Sequence, residues 1–150
     1  MGSSGRRARA SGARELVPSL AVCDAPALIW AATGDLRLLG RGARRIFERV
    51  EEGRAALYVP TIVLVEIGEA VRKGSVHLPL GFEAWGCALL GSGRYHAVDL
   101  TPEIVFRAQS LFAVRERGDR LVAATALTLD CPVITRDASI AGVPGLDVIW

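Results

Sequence analysis

The chain has 150 residues, of which 51% are hydrophobic and 23% are charged. This size and apolar content predict one compact domain, and they exclude a disordered, collagen-like or coiled-coil protein. The formal net charge of +2 is unevenly distributed, because residues 1–20 carry +3 and the remainder carries −1. A body so close to neutral does not by itself indicate nucleic-acid binding.

The first residues are rich in Gly, Ser and Arg and have few large apolar side chains. They predict a flexible tail over residues 1–19, followed by a folded domain over residues 20–150. No membrane span is expected, because Pro18, Asp24 and Pro26 interrupt the apolar stretch behind the basic residues. Widely spaced cysteines without a CxxC pair predict buried, reduced thiols in a cytoplasmic protein. These are Cys23, Cys87 and Cys131.

Strand and helix patterns alternate along the chain. Apolar runs predict strands over residues 20–23, 57–59, 95–100, 132–135 and 147–150. Helical patterns occupy residues 25–33, 43–52, 61–73, 81–90 and 118–129, and residues 101–103 predict the start of a further helix. Thr61 and Thr101 are predicted helix caps, and Gly34 and Gly74 are predicted helix ends. Strands separated by helices indicate an α/β fold with a parallel sheet covered on both faces.

Four acidic residues occupy unusual places in this pattern. Asp24 and Asp137 directly follow strands, and ligands of parallel sheets bind at the carboxyl ends of the strands. Asp119 lies at a helix start, and Glu66 lies inside an apolar helix, where a charge needs a partner. Each has an ordinary alternative: Asp24 and Asp119 as helix caps, Asp137 as a turn residue, and Glu66 as the partner of Lys73.

Clustered carboxylates repel one another unless a proton or a cation neutralises them. Mg²⁺ and Mn²⁺ prefer oxygen ligands and are often completed by substrate phosphates. A metal site that hydrolyses phosphodiesters is therefore one interpretation of the four acids. A phospho-receiver is disfavoured, because it needs a lysine late in the chain and Lys73 is the only lysine.

The sequence resembles the PIN-domain nucleases, in particular the VapC-type toxins of bacterial toxin-antitoxin pairs. The resemblance extends from about residue 21 to residue 150. The matching segments are CDAPALIWAATGD, LYVPTIVLVEIGEAVRKGSVHLP, VDLTPEIVFRAQSL, GDRLVAATALTLDCPVITRD and PGLDVIW.

The resemblance implies a three-layer α/β/α PIN-like fold with a mostly parallel central sheet. It also implies a Mg²⁺- or Mn²⁺-dependent endoribonuclease that cleaves RNA to leave a 5′-phosphate and a 3′-hydroxyl. The acidic set of the family falls on Asp24, Glu66, Asp119 and Asp137, as catalytic and metal-binding residues. Thr135 falls where the family often has a hydroxyl beside the metal. The implied partners are RNA and a VapB-type antitoxin.

Two departures from the family pattern bear on activity. Ala25 replaces the usual Thr or Ser after the first aspartate, and residues 114–118 replace the usual His-Arg-Asp-Pro loop, with Glu116 as a possible substitute acid. They favour an alternative, a catalytically weakened PIN-fold module that binds RNA or protein. The retention of all four acids opposes it.

Basic and apolar residues suggest further contacts. Phosphate contacts are predicted for Arg115, Arg117, Arg120 and Arg136, with pairing to nearby acids as the alternative. Trp30 and Trp85 have apolar neighbours and are predicted core residues. Apolar helix faces over residues 62–71 and 121–129 predict a homodimer or capture of a partner segment.

Overall fold

The computed structural model describes residues 17–150. Most of the predicted tail, residues 1–16, lies outside the described residues. Val17, which the sequence assigns to the tail, packs against the hydrophobic core. The first strand begins at Leu20, as predicted.

The centre of the fold is a five-stranded sheet in which every strand is parallel to its neighbours. The strands are β1 (Leu20–Cys23), β2 (Ala56–Pro60), β3 (Tyr95–Val98), β4 (Val133–Ile134) and β5 (Val148–Ile149). Their spatial order is β3-β2-β1-β4-β5. The chain thus adds β2 and β3 on one side of β1, and then returns to add β4 and β5 on the other side. Because crossovers between parallel strands are almost always right-handed, this strand order is expected to place the helices of the two halves on opposite faces of the sheet. The predicted α/β architecture with a parallel central sheet is confirmed.

Seven α-helices connect the strands. They are α1 (Ala25–Thr33), α2 (Arg41–Glu51), α3 (Thr61–Arg72), α4 (Phe82–Gly91), α5 (Pro102–Ala108), α6 (Arg117–Leu129) and α7 (Ala138–Ala141), with a short 3₁₀ helix at Leu36–Leu38. Gly34 ends α1 with a left-handed backbone, and the Thr101 hydroxyl accepts a hydrogen bond from the Ile104 N–H at the start of α5. Both residues act as predicted.

Several boundaries differ from the prediction. Thr61 is the first residue of α3 rather than its cap, and no side chain caps that helix. β3, β4 and β5 are shorter than their apolar runs. The runs extend beyond the paired residues, because β4 and β5 are paired at only two positions each. Apolar sequence marks what is buried, whereas a strand also needs a neighbour to pair with.

Two buried clusters stabilise the layers. The main core contains β1, β2, β4 and the inner faces of the helices, and a smaller one joins α5 to α6 through Ile104, Ala108, Leu121 and Ala124. These two clusters cover the apolar face of α6. The prediction that the apolar face over residues 121–129 is left uncovered for a partner is therefore wrong. Cys87 is exposed, which corrects the prediction of three buried thiols. Its helix, α4, has no buried residue.

None of the helices within residues 17–150 has both the length and the apolarity needed to cross a bilayer.

Candidate functional site

The two halves of the sheet meet between β1 and β4, and the candidate site lies at the carboxyl ends of these strands. β1 and β4 pair Val22 with Val133 and Cys23 with Ile134. The next residue, Asp24, donates its N–H to the Ile134 carbonyl at 3.2 Å. Asp24 therefore lies beside the segment that contains Thr135 and Asp137. Such a switch point in an open parallel sheet is where ligands usually bind.

Asp24 has both of the roles that the sequence left open. One carboxylate oxygen, Oδ1, accepts a hydrogen bond from the Ala27 N–H at 2.9 Å and caps α1. The side chain is buried, and burial raises its pKa, while the Thr135 hydroxyl and the Ala27 N–H act to lower it. The negative charge of Asp137 also raises the pKa of Asp24. A cap therefore occupies one oxygen, and the carboxylate still belongs to the acidic cluster.

Asp137 caps α7 through the same kind of contact. Its Oδ1 accepts hydrogen bonds from the Ser139 N–H at 2.8 Å and from the Ser139 hydroxyl at 2.7 Å. Burial acts to raise the pKa of Asp137, but hydrogen bonds from Ser139, Asp119 and the backbone outweigh it and lower the pKa below its usual value. Asp137 is therefore the acid of the cluster that stays ionised most readily.

Asp119 lies in the first turn of α6 and faces Asp137. The pKa of Asp119 is raised to about 7. Burial is the largest cause, and the hydrogen bond with Asp137 and the charges of Asp137, Glu66 and Asp24 contribute the rest. Two carboxyl groups this close share a proton unless a cation replaces it. The structure thus brings Asp24, Asp119 and Asp137 together, from three different elements.

Glu66 lies on α3, and its carboxylate rests against the start of α6. A Cβ atom on Gly118 would overlap Glu66 Oε1 and lie 2.9 Å from Glu66 Cδ. Burial raises the pKa of Glu66, and the charges of Asp24 and Glu116 add to this, while Arg117 acts to lower it. No ion pair joins Glu66 to Lys73 within residues 17–150, so the alternative of a Lys73 partner is wrong.

The two predicted auxiliary residues lie next to the acids. Thr135 is completely buried, and its hydroxyl faces Asp24 while accepting a hydrogen bond from the Asp137 N–H at 3.1 Å. It therefore contacts the side chain of Asp24 and the backbone of Asp137. Glu116 directly precedes α6, and its charge raises the pKa of Glu66. Glu116 and Glu66 line the same surface cavity of about 520 Å³, together with Arg117 and Gly118.

The four predicted arginines have different surroundings. Arg120 donates hydrogen bonds to the carbonyls of Val114 at 3.1 Å and Arg115 at 2.7 Å, so its guanidinium holds the loop before α6. Arg115 in that loop and Arg117 at the first position of α6 are exposed. The Arg136 guanidinium lies 4.8 Å from the centre of the Trp30 ring. Within residues 17–150, none of the four forms an ion pair within 4.0 Å.

Sequence reasoning missed the roles of Trp30 and Gly118. Trp30 is a partly buried residue, as expected, but one face of its ring supports Arg136. Gly118 is predicted only as a helix start, yet its missing side chain is what admits the Glu66 carboxylate. A glycine in the first turn of a helix, where a better helix former is usual, is the signal that was available.

The acidic cluster has the donor atoms that a divalent cation prefers. Its donors are all carboxylate oxygens, which suit Mg²⁺ or Mn²⁺. The charges of Asp137, Glu66 and Asp24 add to burial in raising the pKa of Asp119, so negative charge is concentrated around it. In residues 17–150, however, no three His, Cys, Asp or Glu side chains are arranged closely enough to hold a metal without rearrangement. The donor chemistry and the charge fit a cation, and the side chains must move to enclose one.

Comparison with known families identifies the family to which this fold belongs. The family model of the PIN domain matches residues 21–146. The chain belongs to the PIN domain family. The match includes all four acids. Membership in this nuclease family supports a hydrolase that acts on nucleic acid.

Solved structures with the same fold come from toxin-antitoxin complexes. VapBC2 from Rickettsia felis, solved with a promoter DNA fragment, has a TM-score of 0.64 at 14% identity, covering 86% of this chain and 96% of that one. DNA-bound VapBC from Salmonella typhimurium gives 0.61 at 16% identity, with coverages of 87% and 96%. A toxin-antitoxin complex from Klebsiella pneumoniae gives 0.60 at 21% identity, with the same coverages. No curated protein sequence matches the chain significantly.

Proposed function

We propose that this protein is a metal-dependent endoribonuclease, the VapC-type toxin of a toxin-antitoxin pair, that hydrolyses phosphodiester bonds in single-stranded or structured RNA. The observation that carries the proposal is the convergence of four carboxylates at the switch point of the sheet. Two of them follow β1 and β4, the other two lie on α3 and α6, and they perturb one another's pKa values. The stability of the fold does not require carboxylates that repel one another. A bound cation that offsets this repulsion is therefore the simplest explanation of their placement.

Three carboxylates are assigned to metal binding, and the fourth is placed to handle a proton. Asp24, Asp119 and Asp137 would hold the cation. The Thr135 hydroxyl would orient the Asp24 carboxylate, and it accepts a hydrogen bond from the Asp137 N–H and so holds the backbone there. Glu66 would orient and deprotonate the attacking water, or hold a second cation. A carboxylate whose pKa is raised by burial is a better proton acceptor than an exposed one.

The cation is proposed to be Mg²⁺ or Mn²⁺, since the donors are oxygens only. When bound, it polarises the phosphoryl oxygen and lowers the pKa of water, which together promote in-line hydrolysis. The expected products carry a 5′-phosphate and a 3′-hydroxyl. Glu116, beside Glu66 in the same cavity, replaces the acid of the usual family loop.

RNA is proposed as the substrate because cationic side chains surround the acidic cluster. Arg115 is exposed on the loop before α6, and Arg117 is exposed at the first position of that helix. Arg136 directly precedes Asp137. Their guanidinium groups suit phosphate oxygens. Arg120 is proposed to contribute indirectly, because its hydrogen bonds to Val114 and Arg115 hold that loop in place.

A VapB-type antitoxin is the proposed protein partner, and the titles of the similar structures support it. A homodimer in the cytoplasm is the proposed state of the toxin. Exposed large apolar side chains such as Val65 on α3, Phe106 on α5 and Phe112 support a protein contact. Sedimentation of the purified chain tests the dimer, and a single monomeric species would contradict it.

The second candidate is a catalytically weakened PIN-fold module that binds RNA or protein. Ala25 favours it, because this buried position offers no hydroxyl to the site. Calorimetric titration with Mg²⁺ separates the candidates. We expect saturable binding that Asp119→Asn abolishes, whereas a module without activity has no need to bind the ion.

Cleavage of RNA by the purified chain tests the proposed function. A labelled single-stranded RNA is incubated with the protein and Mg²⁺, with Mn²⁺, or with EDTA. We expect fragments with either ion and none with EDTA. Asp119→Asn serves as a control for contaminating nucleases. Equal cleavage by the wild type and by Asp119→Asn would contradict the proposal.

A further inference from the structure

Arg136 lies between the acidic cluster and an aromatic pair. Its guanidinium is 4.8 Å from the centre of the Trp30 ring on α1, within the range of a cation–π contact. Its charge acts to lower the pKa of Asp24, so the same group is also electrostatically coupled to the acids. The side chain is exposed and makes no ion pair within residues 17–150. Its donors are therefore available to a ligand.

Trp30 is itself fixed by Trp150, the residue that directly follows β5. The two rings meet edge to face, with their centres 5.9 Å apart. Trp150 is held at the start of α2, where its carbonyl accepts a hydrogen bond from the Gly42 N–H at 3.1 Å. A Cβ atom on Gly40 would come within 2.8 Å of Trp150 Nε1. A glycine at that position thus allows Trp150 to approach.

We propose that Trp30 is a positioning residue for RNA binding: its ring, buttressed by Trp150, holds the Arg136 guanidinium at the edge of the acidic cluster to bind a phosphate of the RNA next to the bond that is cleaved. This inference rests on the proposed function and adds a residue to it. A free arginine side chain loses considerable conformational entropy when it binds a phosphate. Stacking on Trp30 removes part of that cost before the RNA arrives, because the planar group is already oriented.

The arrangement also meets an electrostatic need. RNA phosphates are repelled by the carboxylates of Asp24 and Asp137, so a fixed cation beside them lowers the barrier to approach. The planar guanidinium can stack on the ring and still direct N–H donors outward, which an ammonium group does less well. The inference therefore distinguishes an arginine at residue 136 from a lysine.

A double-mutant cycle on the full chain tests the inference. RNA binding is measured by the anisotropy of a fluorescein-labelled single-stranded RNA, in an Asp119→Asn background that leaves the RNA intact. Trp30→Leu is expected to weaken binding about fivefold to tenfold, the range of a partly desolvated cation–π contact. Arg136→Ala is expected to weaken RNA binding at least as much. It should also reduce the slope of the logarithm of the binding constant against the logarithm of salt concentration by about 0.7, the value for one phosphate contact on a single strand.

The double variant decides the outcome. If Trp30 acts through Arg136, adding Trp30→Leu to Arg136→Ala costs little further binding. If the fold-losses in RNA affinity of the two single variants simply multiply in the double variant, the inference is overturned. Trp30→Phe, which keeps an aromatic ring, should restore most of the binding. Trp85→Leu is the matched control, because Trp85 stacks on Phe82 at 6.2 Å in α4 instead of on an arginine. It should leave RNA binding unchanged.

Two further results keep the test decisive. If thermal unfolding shows that Trp30→Leu does not fold, Arg136→Lys takes its place. It retains the charge and loses the planar stack, so binding should fall close to that of Arg136→Ala, and wild-type binding would overturn the inference. If the wild type neither binds nor cleaves RNA, the proposed function fails as well. If the wild type cleaves RNA and the cycle is additive, only this inference fails.

Discussion

The carboxylate of Glu66 lies against the backbone of Gly118, so close that a methyl group at residue 118 would overlap Glu66 Oε1. The contact joins α3 to α6 at the point where the acidic cluster forms. Gly118 lies within α6, where alanine is otherwise favoured over glycine by about 1 kcal/mol. The glycine is therefore explained by the site and not by the helix.

Gly118→Ala should reduce RNA cleavage by at least about tenfold, because Glu66 must move away from the water it activates. Stability should change little, since the helix propensity of alanine offsets part of the clash. The matched control is Gly86→Ala, within α4, where a Cβ atom meets nothing within 4 Å. The control should keep wild-type activity. Cleavage rates and thermal unfolding of both variants check this, and full activity in Gly118→Ala would contradict the assigned position of Glu66.

Substitution of Asp24 separates its two roles. Asparagine is as good a helix cap as aspartate, so Asp24→Asn should keep the Ala27 contact and most of the stability. It removes the charge, and cleavage should fall by about 100-fold or more if metal binding depends on it. Asp24→Ala loses the cap as well, so its free energy of unfolding should fall by about 1 kcal/mol and it should unfold at a lower temperature. Near-wild-type cleavage by Asp24→Asn would remove Asp24 from the site.

The stability of the metal-free chain should fall as the pH rises toward neutrality. The pKa of Asp119 in the folded chain is about 7, above the usual 3.8, so between these values the folded state binds more protons than the unfolded state. The stabilising contribution is complete below the lower value and is lost as the pH rises through the higher one. Denaturant unfolding in EDTA across this range checks it. Asp119→Asn should show a flatter profile, and an unchanged profile would contradict the shared proton with Asp137.

Mg²⁺ should reverse this loss. A cation that replaces the proton between Asp119 and Asp137 binds better once that proton has left, so its affinity should increase with pH. The thermal shift produced by Mg²⁺ should therefore be larger above pH 7 than below it. A shift that is independent of pH, or equal in Asp119→Asn, would place the ion elsewhere.

The parallel sheet and the places of the acids along the chain were largely predictable from the sequence. Asp24 and Asp137 follow apolar runs, and parallel strands bring such residues to one edge. The chain pattern did not show that Asp24 and Asp137 cap helices while belonging to the cluster. Periodicity reports burial along one element, whereas these double roles depend on which elements meet.

The long-range contacts were less accessible. The stack of Arg136 on Trp30, and the support of Trp30 by Trp150, join residues over a hundred positions apart. Nothing in the local sequence distinguishes a core tryptophan from one whose exposed face holds an arginine. The length of β3, β4 and β5 was also beyond reach, because it depends on the extent of pairing with neighbouring strands.

Analysis of the RNA ends tests the central claim most directly. Fragments made by the wild-type chain in Mg²⁺ are examined for their terminal groups, with EDTA and Asp119→Asn as controls. Activation of water at the acidic cluster predicts a 5′-phosphate and a 3′-hydroxyl, formed only with the ion and the intact cluster. A 2′,3′-cyclic phosphate, or cleavage that persists in EDTA, would contradict the claim that these four carboxylates form a metal-dependent hydrolytic site.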